Sequence, residues 1–180
     1  LDSGLQLHGA LAVDLRLDGQ AGPGVSPEAA GLVTVRGGGA RTAAGVALVT
    51  GLDADMEIRD GRGELNAEGG LLDGELALSG EVTIDSLLPY DLRIRADADL
   101  AELLATLPRG SASGPDRFSG RVTADATIAG NSGSSGDPSV DGVVTITDLA
   151  ATFDAVSRPV TAARIPIRIT GDTASWSEVE

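Results

Sequence analysis

The chain has 180 residues, a formal net charge of −14 and no cysteine. That length suits one domain, and the acidity excludes nucleic acid, whose phosphates need a basic surface, and argues against lying flat on an anionic membrane. Without cysteine there is no disulfide, and no apolar run of about 18 residues exists to form a transmembrane helix. The apolar share is 42%, yet aromatics are only 2%, so Leu, Val, Ile and Ala carry nearly all of it. The chain opens LDSG, with neither Met nor a basic leader, and reads as a segment of a longer protein.

The stretch LQLHGALAVDLRL alternates without a break. Leu5, Leu7, Leu11, Val13, Leu15 and Leu17 share one parity with Gly9; Gln6, His8, Asp14 and Arg16 take the other. Period two predicts a β-strand with one apolar and one polar face. At ~3.3 Å per residue it spans ~40 Å, about twice an ordinary strand. Residues 19–31 are Gly- and Pro-rich and predict a loop. Strands are expected over 32–36 and 45–50, with Gly37-Gly38-Gly39 as a turn between them. Next, Leu52, Ala54, Met56 and Ile58 alternate with Asp53, Asp55, Glu57 and Arg59, and Asp60-Gly61 predicts a hairpin turn into the strand 63–69. GELALSGEVTID places Leu76, Leu78, Val82 and Ile84 on one face. YDLRIRADADL sets Leu92, Ile94, Ala96 and Ala98 against Arg93, Arg95, Asp97 and Asp99.

Residues 98–108 break the period. Leu100, Leu103, Leu104 and Leu107 fall at helical spacing, stopped by Pro108. This short helix either caps an apolar surface or is a connector packing its leucines on the nearest core. The Gly/Ser/Pro-rich stretch 108–116 is a possible internal seam. Beyond it, Val122, Ala124, Ala126 and Ile128 share a face. Residues 140–149 form a strand carrying Val144 and Ile146. Ile165, Ile167 and Ile169 line one side of another. Pro166 cannot donate to a ladder, so its strand is an edge or carries the proline on an unpaired side. Ten or eleven strands and one short helix make the chain all-β.

Chemistry-bearing residues are few. His8 stands alone on a polar face, with no nucleophile spaced for a triad. Asp53, Asp55 and Glu57 share a strand face, as do Asp97 and Asp99, and such rows can ligate Ca²⁺. Their spacing fits no loop motif, so no metal is expected. The glycines form no phosphate-cradling loop. No cofactor and no enzymatic activity are expected.

Two segments carry a family resemblance. SGRVTADATIAG, followed by GDPSVDGVVTITDL, reads as a strand ending at Gly130, a short loop with Gly136-Asp137-Pro138, then Val140, Gly142 and an alternating strand. This phrase resembles the TamB/AsmA-like bacterial envelope proteins, as do the helix ADLAELLATLP after a strand and RPVTAARIPIRITGDTASW near the end. The resemblance implies a long, curved antiparallel sheet forming an open apolar groove. It implies a periplasmic location, a parent chain anchored in the inner membrane, and phospholipid acyl chains as ligand, carried between inner and outer membranes or supporting outer-membrane assembly. An outer-membrane barrel protein is the implied partner of the parent chain.

Physical reasoning leads to the same lining independently. A sheet with one apolar face must cover it, by folding into a sandwich or by curling round a ligand. An aliphatic lining without polar anchors suits acyl chains, each buried CH₂ adding ~0.8 kcal/mol. The expected lining is Leu5, Leu7, Leu11, Val13, Leu15, Leu17, Met56, Ile58, Leu76, Leu78, Leu92, Ile94, Val122, Ile128, Val144, Ile146, Ile165, Ile167 and Ile169. A purely structural β-solenoid or β-sandwich of a secreted or surface protein would show the same alternation, although the turn clusters keep no fixed repeat.

Overall fold

Ten strands follow one another in a single antiparallel sheet whose spatial order is the chain order. The computed structural model describes residues 5–18, 28–43, 45–84, 88–106, 117–132, 137–152 and 158–176. The strands are β1 (Gln6–Asp18), β2 (Glu28–Arg41), β3 (Ala47–Arg59), β4 (Arg62–Leu71), β5 (Gly74–Thr83), β6 (Pro89–Asp99), β7 (Arg117–Asn131), β8 (Ser139–Thr152), β9 (Val160–Thr170) and β10 (Thr173–Trp176). α1 (Leu100–Thr106), the one helix among the described residues, follows β6 directly. Short connections favour this meander, because antiparallel neighbours need only a hairpin. Arg59 pairs with Arg62 across Asp60-Gly61, the expected turn, with both turn residues at positive φ.

The sheet is open: among the described residues β1 and β10 each have a strand on one side only. Among the described residues no second sheet packs on it, and the main strand contacts are between chain neighbours, with α1 on β6 and β7 and a smaller approach between β4 and β6. There, Cα atoms two strands apart come within 8 Å. A flat sheet would separate them by ~9.5 Å, so the sheet bends at β5. Few side chains are enclosed: Ile58, Leu100 and the alanines 40, 67, 98, 151 and 162.

Several boundaries differ from the sequence expectation. Residues 28–31, read as loop, belong to β2, and the rest of that loop lies outside the described residues. Gly37-Gly38-Gly39, read as a turn, lies inside β2, so 32–36 is only part of one long strand. Likewise 45–50 and 52–59 merge into β3. The reason is the same in both strands. Gly37 and Gly51 each take φ 58°, and the pairing register shifts beside them. An extra residue in the left-handed region is a β-bulge, which passes through a strand without ending it. In sequence that glycine looks like punctuation. A third bulge lies at Asp148, φ 52°, where β8 shifts against β7 near Gly120.

The helix is shorter than 98–108. Asp99 caps it: its Oδ1 accepts from the N–H of Ala101 at 2.8 Å and of Glu102 at 3.0 Å. Leu107, Pro108 and the possible seam at 108–116 lie outside the described residues. β6 and β7, on either side of that stretch, pair directly from Pro89–Asn131 to Asp99–Arg121. β9 is not an edge strand, and Pro166 pairs with Thr145 of β8. β10 pairs with β9 only from Ile167 to Thr170, so Pro166 stands beside the stretch with no described outer neighbour.

Gly80 shows where the backbone itself demands glycine. It sits mid-strand in β5 with φ +151°, and a Cβ there would lie 2.1 Å from the Asp91 carbonyl oxygen on β6. Gly80→Ala is expected to destabilise the fold by about 2–4 kcal/mol through strain and clash. The neighbouring exposed Ser79→Ala is expected to change it by less than ~0.5 kcal/mol. Urea unfolding midpoints measure both; equal midpoints would show that β5 does not need the kink.

Candidate functional site

Cross-strand register decides which side chains share a face, and it builds one continuous apolar surface. The row Leu11–Val35–Ala54–Ala67–Leu78–Ile94–Ala126–Gly142–Ile169–Ala174 crosses all ten strands without a polar residue. Beside it runs Val13–Val33–Met56–Leu65–Gly80–Leu92–Ile128–Val140, from β1 to β8. On the other side, Gly69–Leu76–Ala96–Ala124–Val144–Ile167–Trp176 runs from β4 to β10. Val122, Ile146 and Ile165 continue from Ala98. Ile58 pairs with Gly31, which faces Leu15, and Leu7 faces Ala40.

The expected lining therefore falls on one face over β1, β3 and β5–β9, while β2 and β4 contribute residues it did not include, and two of its members need a separate description. Leu5 precedes β1 and is exposed. Leu17 pairs with Ala29 in backbone register, but its side chain lies outside the described residues. Sequence reading left out Val33, Val35, Leu65, Ala67, Tyr90 and Val140. Period two was visible around all of them, but β2 is interrupted by its bulge and β4 is diluted by glycine.

Exposure is graded along the face. On β1 the apolar side chains are open, from Leu7 at 75% to Leu15 at 45%. Across β3–β9 they are mostly half-buried, shielded by neighbouring strands. The most enclosed end lies by α1, where Ala98 is 3% and Leu100 4% exposed, and α1 packs on β7 and β6. The glycines of the Gly130–Pro138–Gly142 phrase have steric reasons. A Cβ on Gly142 would come 2.4 Å from the Ala126 Cβ, and one on Gly130 would meet the Tyr90 ring, with Pro138 close by.

The opposite face is polar and laced with ion pairs. Arg93 grips Asp125 with two bonds, Nε to Oδ1 at 2.8 Å and Nη2 to Oδ2 at 2.6 Å, and Arg95 approaches from 3.6 Å. Arg121 holds Asp97 in the same forked way. The carboxylates considered as a Ca²⁺ row have structural partners. Asp53 accepts the N–H of the bulge residue Gly37 at 2.9 Å, Asp55 pairs with Arg36 at 2.6 Å, and Glu57 pairs with Arg59. No cluster of metal-ligating side chains occurs among the described residues. His8 lies on this face with its ring over Gly39, where a Cβ would stand 2.4 Å from its Cε1.

Arg36, Arg93 and Arg121 are held above their ordinary range, chiefly by hydrogen bonds to Asp55, Asp125 and Asp97. The hydrogen bonds from Arg93 hold the Asp125 carboxyl below the usual aspartate range, against a smaller opposing effect of burial. The arginines and Asp55 and Asp125 are about half exposed and Asp97 less so, so solvent screens these pairs and each adds only modest stability. No protein-family model, curated protein or solved structure matches the chain.

The depressed Asp125 carboxyl sets a sign. Its contribution is complete above the unfolded aspartate value of ~3.9 and is lost as pH falls through its lower folded value. Asp125→Asn is therefore expected to unfold at lower temperature than the parent chain near neutrality, with the gap closing as pH drops below ~3.9. A thermal-melt series across pH checks this; a gap constant down to acid pH would mean that the Arg93 pair contributes nothing.

Proposed function

We propose that this chain is a segment of a bacterial envelope protein of the TamB/AsmA kind, whose apolar face holds phospholipid acyl chains. The parent protein sits in the periplasm, anchored in the inner membrane, and its groove helps lipid move between the membranes or supports outer-membrane assembly. An outer-membrane barrel protein is the partner of the parent chain. The role is binding and conduction, with no catalytic step.

One observation carries this reading: the apolar row that crosses ten strands, with no second sheet over it among the described residues. Nine strand spacings of ~4.8 Å make it ~43 Å long. Strands of about ten residues give the face a projected area of roughly 1,400 Å². Apolar patches on soluble monomers are usually ~300–600 Å², so a face this large needs a cover. An aliphatic lining offers acyl chains dispersion contact and release from water, and no buried polar group that would choose among headgroups. A bilayer's hydrocarbon core is ~30 Å for two leaflets, so the row is long enough for more than one chain end to end. The polar face keeps the acidic surplus away from the lining. The bend at β5 and the three bulges are devices that curl a sheet into a groove.

Binding is expected to tighten roughly fourfold per added CH₂ until the chain outgrows the lining, and to respond weakly to salt. A photo-crosslinking amino acid at Leu15 or Ile94 is expected to yield lipid adducts in cells, whereas Arg16 and Arg95 on the other face should yield none. Equal labelling of both faces, or no labelling at all, would make the sheet a structural β-domain that carries nothing. Ile94→Arg is expected to leave the chain folded and to lower acyl binding. If charge at Ile94, Ile128 and Ile146 abolishes folding in every case, the lining is a core and the conduit loses its support.

A further inference from the structure

We propose that Tyr90 is the polar anchor of the lining: its phenol donates a hydrogen bond to the ester carbonyl of an acyl lipid whose chain lies on the apolar face. This deepens the acyl-binding reading and rests on it. Among the described strand residues that register onto this face, Tyr90 carries the one hydroxyl. Its cross-strand partners are Val82 on β5 and Gly130 on β7. Tyr90 is half-buried, and its hydroxyl makes no hydrogen bond among the described residues. A phenol O–H set against apolar surface ordinarily finds a partner. Gly130 makes room for this one. A Cβ there would stand 2.7 Å from the Tyr90 hydroxyl oxygen and 3.0 Å from its Cζ, with the Pro138 Cβ 3.4 Å from the same point. The missing side chain lets the ring lie over β7 and sets its tip beside Pro138.

The two ends of the β6–β7 pair differ. Tyr90 stands at the start of β6, and α1 packs at the other end, where Ala98 is 3% and Leu100 4% exposed. A lipid entering between these ends meets the lining on the Tyr90 side, its polar end toward water and its chain on Leu92 and Ile128, the next paired residues inward. The surroundings choose the acceptor. Neither cross-strand partner of Tyr90 is basic, and one residue along, on the opposite face, Asp91 is paired with Glu81. That negative charge disfavours a phosphate or a free carboxylate, whose strong partners are cations. An ester carbonyl accepts from a neutral O–H with no charge to balance. Tyr90 therefore recognises the ester linkage, and the headgroup beyond it goes unread.

Tyr90→Phe removes the hydroxyl and keeps the ring over Gly130, so the variant should fold as the parent does. The probes are a short-chain diacyl phosphatidylcholine, below its micelle concentration, and the dialkyl ether lipid of the same chain length and headgroup. Calorimetric titration of the 180-residue chain is expected to show the ester lipid bound more tightly than the ether. Tyr90→Phe should weaken ester binding by about two- to tenfold, the range of one net hydrogen bond, and leave ether binding unchanged. Tyr90 is the chain's only tyrosine, so the carbon NMR signal of its Cζ reports this hydroxyl alone in the unaltered protein. That signal should move with the ester lipid and stay within the ring-contact shift with the ether. Equal binding of the two lipids by the parent overturns the anchor and leaves the acyl-binding reading standing. So does equal loss of both lipids in Tyr90→Phe, which would make the ring a packing element only. Binding of neither lipid by the parent overturns the acyl-binding reading, and the anchor with it.

Discussion

Everything in this molecule depends on one rule of β-geometry: successive side chains point to opposite faces, and directly paired residues share a face. Because each strand pairs with its neighbours in chain order, that rule passes from β1 to β10 without interruption. An apolar parity in any one strand is handed to the next, so the apolar residues become rows that no single strand could make. The bulges at Gly37, Gly51 and Asp148 fall where a strand would otherwise carry the wrong parity onward. They let long strands bend while Ala40, Val49 and Leu71 stay in one row.

A single sheet has two faces to satisfy, and the two are satisfied differently. The polar face meets water, and its arginines spread their donors over carboxylates on adjacent strands. Those pairs are too exposed to hold the fold by themselves. Their value is positional: Asp53 holds the bulge at Gly37, and Arg36 reaches the carbonyls of Val35 and Ala54 at 3.0 Å while gripping Asp55. The apolar face meets nothing among the described residues beyond α1 at one end. Its lining of Leu, Val, Ile and Ala, almost free of aromatics, leaves a low-relief surface in place of interlocked core packing.

The two edges extend the same asymmetry to the backbone. At β10 the ladder is short and ends at an exposed Trp176. At β1 a thirteen-residue strand has no described strand on its outer side, and its leucines are the most open on the face. Among the described residues, apolar burial is thus least complete at β1.

Much of this was legible in the sequence. The unbroken alternation at Leu5–Leu17 and Leu92–Ala98, the Asp60-Gly61 turn and the leucine spacing after Ala98 specify strands, a hairpin and a short helix, because period and turn chemistry are local. The shared parity of most of these apolar residues was readable for the same reason. The bulges were not: a left-handed glycine inside a strand and one in a turn look alike until the partner strand sets the count. Nor could the alternation alone say whether the apolar face meets a second sheet. Both outcomes use the same period of two, and only the tertiary pairing, strand against next strand through all ten, left that face without a second sheet among the described residues.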